Sequence, residues 1–488
     1  MEKSADICLV VEGSYPYVTG GVSSWLQWLM ENTTEFTFSV VALIAEKKRR
    51  EDMKYTLPKN VISYDEYVIF DYDEIENAKP LRLSARKWRL LSDRLFRLMM
   101  DWRDNTVSHE NLLFVKELIT DYSPNIFNNF LNDEDAFSLL THIYEEFRGD
   151  VGFIKYFYNH RNIHLILFRL LSMIAKIPTA TIYHSPSTGY GGLIACIKSA
   201  MYGRKSMITE HGIYLQEREM ELLKSQWLDD PYLKDMWIDF FTAICLWQYK
   251  TCDRMITLYE GNRRLQMEYG ADGNAITVIP NGIDIERFKE ARKRRCTKTP
   301  RIVGMVGRVD SVKDVKTFIQ AMAIIKQGYG DVHGYVIGPT DEQPDYYKEC
   351  EELTKMLHLE SAVTFTGRAD VKEYYKTMDV LLLTSIKEAM PLVVMEAMAS
   401  GVPVVATDVG ACRELIYGNN DDIGEAGVVE RVMDPKGIAE ATIHILRDTE
   451  LANRMAEKGI KRIENYYREE LVIRRYREIY GEFIDGRD

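Results

Sequence analysis

The sequence predicts an α/β protein built from two doubly wound, parallel-sheet domains, the first carrying a helical insertion. Short apolar runs of strand type alternate with longer stretches of helical periodicity through both halves, the pattern of parallel strands joined by crossover helices. The chain has 488 residues, more than one hydrophobic core comfortably serves. With 46% hydrophobic residues and moderate charge, it reads as globular throughout, without a disordered tail.

In chain order, strand candidates at 7–11, 37–44, 180–184, 206–210, 254–258 and 276–279 build a first domain over residues 1–283. A segment from about 71 to 176 interrupts it and reads as mainly helical, with Trp88, Leu90, Leu91, Leu95, Leu98 and Met99 on one apolar face. Packing onto the first domain is the preferred reading; an Arg-rich opposite face also allows a membrane-surface helix. Residues 281–300 read as a charged linker closed by Pro300. The second domain, 300–465, repeats the alternation with strands at 301–306, 332–337, 363–366, 380–384 and 402–407. Ligands of such sheets bind beyond the carboxyl ends of the strands, where Gly307, Gly367 and Ser385 fall.

A net charge of −12 argues against broad nucleic-acid affinity. The basic clusters at 47–50 and 292–295 sit among acids and loop residues and read as solvated. The seven cysteines form no C-x-x-C pair and are odd in number, so reduced thiols of a cytosolic protein are expected. The first residues lack an export signal, and no window is apolar for long enough to span a bilayer. A protein that is not itself membrane-spanning follows as the expectation. Asp133-Glu134-Asp135 mimics a metal-binding D-x-D, yet lies in a helix-like acidic stretch and reads as surface.

Three turns carry the chemistry. Between Ser385 and Gly401 the chain reads S-I-K-E-A-M-P-L-V-V-M-E-A-M-A-S-G after the strand run at 380–383. Pro391 reads as a first-turn proline, with Glu388 in the strand-to-helix loop and Glu396 one to two turns along the helix. Free amides near 390–393 favour an anion, and a carboxylate suits sugar hydroxyls, so the implied ligand carries both. A capping acid beside a surface glutamate is the alternative that this element leaves open. The second turn, G-R-V-D-S-V-K-D at 307–314, places Arg308 and Lys313 ahead of an amphipathic helix, with Lys313 expected in its first turn. It is no Walker A loop. The third, at 12–25, has Gly20 and Gly21 where backbone amides can approach a ligand. Trp25, Leu26, Trp28 and Leu29 after it read as the inward face of a helix.

Together G-G-V near the start, G-R-x-x-x-x-K-D, and E-x7-E followed by A-M-A-S-G-V-P-V-V-A-T resemble the retaining, nucleotide-sugar-dependent glycosyltransferases of family 4. The match is specific over 301–415, with supporting blocks T-E-H-G-I-Y at 209–214 and I-P-N-G-I-D at 279–284. The opening A-D-I-C-L-V-V-E-G-S-Y-P-Y-V-T-G-G-V-S-S-W resembles the cytoplasmic glycosyltransferases of bacterial Pel exopolysaccharide systems.

The resemblance implies the GT-B fold, two Rossmann-like domains facing a central cleft, with residues 466–488 crossing back to the first. It implies that Arg308 and Lys313 hold the donor diphosphate without a metal, and that Glu396 binds the ribose. Glu388 with the backbone of Ala389, Met390, Pro391 and Leu392 would hold the transferred sugar and distal phosphate, and Gly367 and Arg368 the nucleobase. Gly20 and Gly21 would close on the donor, and His211 would orient its sugar. A lone histidine is more often structural; the strand-end place of His211 beside Gly212 favours function. Many relatives have Gly-Phe where this chain has Ala389-Met390, which leaves the contour around the donor sugar open. The loop 183–192 is compatible with saccharide stacking and equally with a plain flexible loop.

The function these features predict is a cytoplasmic, metal-independent retaining glycosyltransferase, moving sugar from a UDP-sugar to a growing exopolysaccharide. Its partners would be the UDP-sugar, a saccharide acceptor and inner-membrane synthesis proteins. No further cofactor is expected. A GT-B epimerase or phosphorylase, or a non-catalytic nucleotide-sugar-binding scaffold of a membrane synthase, would share the anion-binding turns.

Overall fold

The computed structural model describes residues 4–13, 15–104, 106, 108–147, 151–292, 299–419 and 421–486, with the backbone alone at 103, 135, 139, 146 and 147. The basic residues at 293–295, Cys296 and the side chain of Asp135 therefore lie outside the described residues. The chain divides into two units: one of Met1–Thr257, Asn262–Val278 and Tyr476–Asp488, the other of Leu258–Gly261 and Ile279–Arg475.

The first unit is organised on a seven-stranded parallel sheet. Its strands are β1 (Ala5–Glu12), β2 (Phe38–Ile44), β3 (Val61–Val68), β4 (Ala180–Ser185), β5 (Lys205–Glu210), β6 (Arg254–Thr257) and β7 (Ile276–Val278). The order β3-β2-β1-β4-β5-β6-β7 puts the most apolar strands, β1 and β2, inside the sheet. β3 was not expected from the sequence: V-I-S-Y-D-E-Y-V interleaves polar residues, and an edge strand that stays half-exposed can carry them. The hydroxyls of Tyr17 and Tyr64 both donate to its Glu66.

The segment after β3 forms the helices Ala85–Arg103, His109–Glu117, Asn125–Asn132, Glu134–Phe147 and Phe153–Ile174. Trp88, Leu91, Leu95 and Leu98 are buried in the unit's core, where Phe127 and Phe168 stack at 4.7 Å. That burial consumes the face a membrane-surface helix would need. Leu90, assigned to the same stripe, points to solvent instead. The loop at 183–192 is also corrected. It comprises the end of β4, a largely buried turn at 186–189 and the start of the buried helix Tyr190–Tyr202, not an exposed stacking platform. Six cysteines are buried as free thiols.

The second unit holds a six-stranded parallel sheet in the order β10-β9-β8-β11-β12-β13. The strands are β8 (Arg301–Val306), β9 (Val332–Ile337), β10 (Val363–Gly367), β11 (Val380–Leu383), β12 (Val404–Thr407) and β13 (Gly427–Glu430). β13 escaped the sequence reading because it is a four-residue edge strand opened by a glycine. Of the residues read as a linker, Ile283, Ile285, Phe288 and Ala291 join the core beneath β11 and β12, since their apolar side chains outweigh the charges between them. The last helix, Glu469–Asp485, is shared, with Tyr476 onward belonging to the first unit.

Within the second unit Arg462 is wholly buried and donates to both oxygens of Asp421 at 2.9 Å and to the carbonyls of Leu415, Ile416 and Gly424. Asp421→Ala, which strands that guanidinium, is expected to cost about 3–5 kcal/mol, measured from the denaturant-induced unfolding of this unit. The hydrogen bonds from Arg462 hold the Asp421 carboxyl below its ordinary value. Its contribution is therefore complete above the ordinary carboxylate range and is lost as pH falls through the depressed value. The wild type should lose this increment on acidification and the alanine variant should not.

Candidate functional site

The turns after β8 and β11 are laced together by backbone and side-chain bonds. Ile386 N–H donates to Val312 O at 2.8 Å, and Thr384 Oγ1 donates to the carbonyls of Lys313 at 2.9 Å and Asp314 at 3.0 Å. Asp310 accepts from the amides of Val312 and Lys313 at 3.0 and 2.9 Å. Asp314, in the left-handed region at φ 48°, caps the helix Val315–Tyr329 by accepting from the Thr317 amide. Lys313 therefore stands just ahead of that helix and not in its first turn, because Asp314 holds the capping position.

So placed, the Lys313 ammonium donates to Glu388 Oε1 at 2.6 Å, and Ser385 Oγ donates to the same oxygen at 2.6 Å. Both charged side chains are largely buried, at 19% and 13% exposure. The two residues expected to take separate parts of a ligand thus meet each other. Arg308 is likewise engaged, with Glu342 Oε2 at 2.6 Å and Asp310 Oδ2 at 3.3 Å, and stays half-exposed. An anion reaching these cations has to take the place of carboxylates.

The loop leading to the next helix is held from β12. Ala411 N–H donates to Ala389 O at 2.7 Å, and at Gly410, φ 52°, a Cβ would lie 2.1 Å from that same carbonyl. No side chain fits there, so the close approach that shapes Glu388–Met390 requires glycine. The helix runs Leu392–Ala399 with Pro391 at its N-cap, one position earlier than the first turn expected for it. Proline offers no capping side chain and the first turn holds no acid, so the terminal amides stay open to an anion. Glu396 accepts from Tyr375 OH at 3.2 Å, and Tyr375, fully buried, also donates to Val393 O. Burial pushes the Glu396 carboxyl upward, opposed by the Tyr375 hydroxyl and Arg287.

Gly367, at φ 66°, ends β10, and its carbonyl accepts from Gly338 N–H at 3.0 Å. Arg368 beside it is exposed, with Asp341 at 3.5 Å. These turns, Gly307 included, all lie at the carboxyl ends of the sheet.

In the first unit, Gly20 is the extended N-cap of the helix Gly21–Asn32, with no side-chain cap and no acid in the first turn. A Cβ on Gly20 or Gly21 would meet nothing within 4 Å, so these positions are open rather than sterically obliged to be glycine. Trp25 of this helix, read from sequence as a core residue, packs edge-on against His211 with centroids 4.7 Å apart. His211 follows β5; burial lowers its pKa to about 4, and its Nε2 is shielded from solvent without a partner among the described residues. His184, one strand away, has both nitrogens occupied, by Tyr480 OH at 2.7 Å and Thr209 Oγ1 at 2.9 Å.

Sequence reasoning missed Tyr375, Thr384 and Lys387, and found Ser385 only as a strand-end position. The Lys387 ammonium is shielded and has no hydrogen-bond partner among the described residues. Its place inside S-I-K-E, beside Glu388, was the available signal.

Two family descriptions match the chain: Domain of unknown function (DUF3492) over residues 5–274 and Glycosyl transferases group 1 over residues 286–462. The N-acetyl-alpha-D-glucosaminyl L-malate synthase of Bacillus anthracis is 32% identical over 189 residues, 38% of this chain and 47% of that protein. The UDP-Gal:alpha-D-GlcNAc-diphosphoundecaprenol alpha-1,3-galactosyltransferase of Escherichia coli is 25% identical over 347 residues, 67% of this chain and 81% of that protein. The chain spans about half the length of the first curated relatives it matches. Among solved structures, sucrose-phosphate synthase from Thermosynechococcus elongatus superposes with a TM-score of 0.59 at 17% identity, covering 98% of this chain and 99% of the other. HepE of Anabaena with UDP-glucose gives 0.58 at 15% identity, covering 98% and 100%. These likenesses establish the GT-B fold, and by its sequence the chain belongs to the DUF3492 family, with a glycosyl transferases group 1 domain following in its second half.

Proposed function

We propose that the protein is a retaining glycosyltransferase that moves a sugar from a UDP-sugar to a growing exopolysaccharide of the Pel type, in the cytoplasm and beside inner-membrane partners. The observation that carries the reading is the largely buried Lys313–Glu388 pair between two strand-end turns, next to an uncapped helix N-terminus. The uracil donor is carried over from the HepE structures with UDP and UDP-glucose and from the UDP-Gal-dependent relative.

In this reading the diphosphate takes Lys313 from Glu388, and Lys313, Arg308, Lys387 and the amides of Leu392 and Val393 stabilise the charge that grows on the leaving group. Glu388, relieved of the ammonium, accepts from hydroxyls of the transferred sugar. Glu396, steadied by Tyr375, accepts from the ribose hydroxyls, and the Gly367–Arg368 turn meets the base through its backbone. Gly20 and Gly21 offer amides to the donor. His211 orients the sugar through Nε2. With a pKa near 4, it is a poor proton acceptor at neutrality, so the leaving phosphate takes the acceptor's proton while the acceptor oxygen enters from the same face.

Isothermal titration with UDP, GDP and ADP, each with and without magnesium, tests the proposal: UDP should bind best and independently of magnesium. Lys313→Ala should weaken UDP by roughly 10–150-fold, the worth of about 1.5–3 kcal/mol for a bond to a charged group; unchanged affinity removes Lys313 from the site. Glu396→Ala should cost about 1–2 kcal/mol for UDP and much less for a uridine nucleotide lacking the ribose hydroxyls. Equal losses for the two would refute the ribose role. Because His211 is neutral above about pH 4, the pH–rate profile should show the same inflections between about pH 5 and 8 in wild type and His211→Gln. An inflection lost in the variant would give His211 a titrating role. UDP-sugar binding without UDP release would identify a scaffold.

A further inference from the structure

A separate cavity of about 400 Å³ opens in the first unit at the carboxyl ends of β1 and β2. Its floor is Glu12, the last residue of β1, whose carboxylate accepts from Tyr190 N–H at 2.8 Å and Tyr214 OH at 2.9 Å. The fit is tight: a Cβ on Gly189 would come within 2.3 Å of Glu12 Oε2 and 2.6 Å of the Tyr214 ring. The Gly191 amide hydrogen-bonds the same carboxylate, so three protein donors serve it, while a carboxylate offers about four acceptor positions. The guanidinium of Arg218 lies over the Tyr214 ring, 5.0 Å from its centroid, and donates to Glu221 at 2.7 Å. Its Nε is buried without a partner among the described residues. Trp227 and Trp237 form the aromatic wall, edge to face at 5.8 Å; Trp237 is buried, whereas Trp227 is 66% exposed at the rim.

The lining prescribes its ligand. Glu12 can only accept and so calls for hydroxyl groups, and Arg218 can only donate and so calls for ether or carbonyl oxygens. The indole faces call for a flat C–H surface. A phosphate would confront the Glu12 charge, and a purely apolar group would leave Glu12 and Arg218 desolvated without compensation. A sugar ring has hydroxyls on its edge and C–H bonds on its face, and a cavity of this size suits a short saccharide. We propose that this cavity is a saccharide subsite that holds a neutral hexose or N-acetylhexosamine unit of the acceptor between Glu12 and Arg218 on one side and Trp227 and Trp237 on the other. The assignment to an acceptor rests on the glycosyltransferase reading above; the saccharide chemistry rests on the cavity.

The test is titration of the intact protein, followed by indole fluorescence and calorimetry, with tetrasaccharides of N-acetylglucosamine, N-acetylgalactosamine and glucose, alongside a UDP titration. At least one tetrasaccharide should bind and perturb the fluorescence. Trp227→Ala, a change at an exposed rim position, should weaken that binding roughly ten-fold through loss of the stacking face, and Glu12→Gln should weaken it as well. Both variants should bind UDP as the wild type does. Failure of all three tetrasaccharides to bind, or undiminished binding by both variants, overturns the subsite even when UDP binds normally. Saccharide binding that responds to these variants in a protein that does not bind UDP leaves the subsite standing and overturns the glycosyltransferase reading.

Discussion

The ammonium of Lys313 against the carboxylate of Glu388 is the contact on which the strand-end turns of the second unit depend. A buried charge needs a partner, because removal from water costs more than most packing contacts return. The surrounding bonds serve to bring these two groups together. Thr384 holds the Lys313 backbone from β11, Asp310 gathers the amides before it, Ser385 shares the Glu388 oxygen, and Gly410 lets the Glu388–Met390 loop lie against β12. In the proposed reading the cation is already positioned when the diphosphate arrives, and Glu388, once displaced, accepts from hydroxyl groups.

The first unit sorts its polar groups by the same physics. Glu210 is buried, and its oxygens are surrounded by donors from Thr188, Tyr214, Tyr249 and Gln266. That arrangement leaves it a structural group that fastens β5 to the helices around it. Glu12 has fewer donors and faces a cavity. The two histidines differ likewise: both nitrogens of His184 are satisfied, whereas His211 keeps Nε2 without a partner among the described residues. In each pair, the member with spare hydrogen-bonding capacity among the described residues is the one that the proposals above assign to a ligand.

Much of this was legible in the sequence, for reasons that are themselves physical. Strands buried on both faces read as continuous apolar runs, so β1, β8 and β11 were plain. β3 and β13 were not, because edge strands tolerate charge and glycine. The turns that carry Arg308, Lys313 and Glu388 could be found from strand ends followed by helical periodicity. The bond between Lys313 and Glu388 could not, since the two are far apart in sequence and only the β8–β11 pairing makes them neighbours. Helix starts were off by a residue or two where a cap, Asp314 or Pro391, took the position assigned to the first turn. Tyr375 lay beyond reach because a buried tyrosine hydroxyl acquires a role only from what it is packed against. The supposed linker misled for the opposite reason, its charges concealing Ile283, Ile285 and Phe288.

The most direct measurement is a crystal structure of the protein with UDP bound. The account predicts the β-phosphate within hydrogen-bond distance of Lys313 Nζ and of the amides at the start of the Leu392–Ala399 helix, with Glu388 released and the ribose on Glu396. A nucleotide seated elsewhere, with Lys313 still on Glu388, would contradict it.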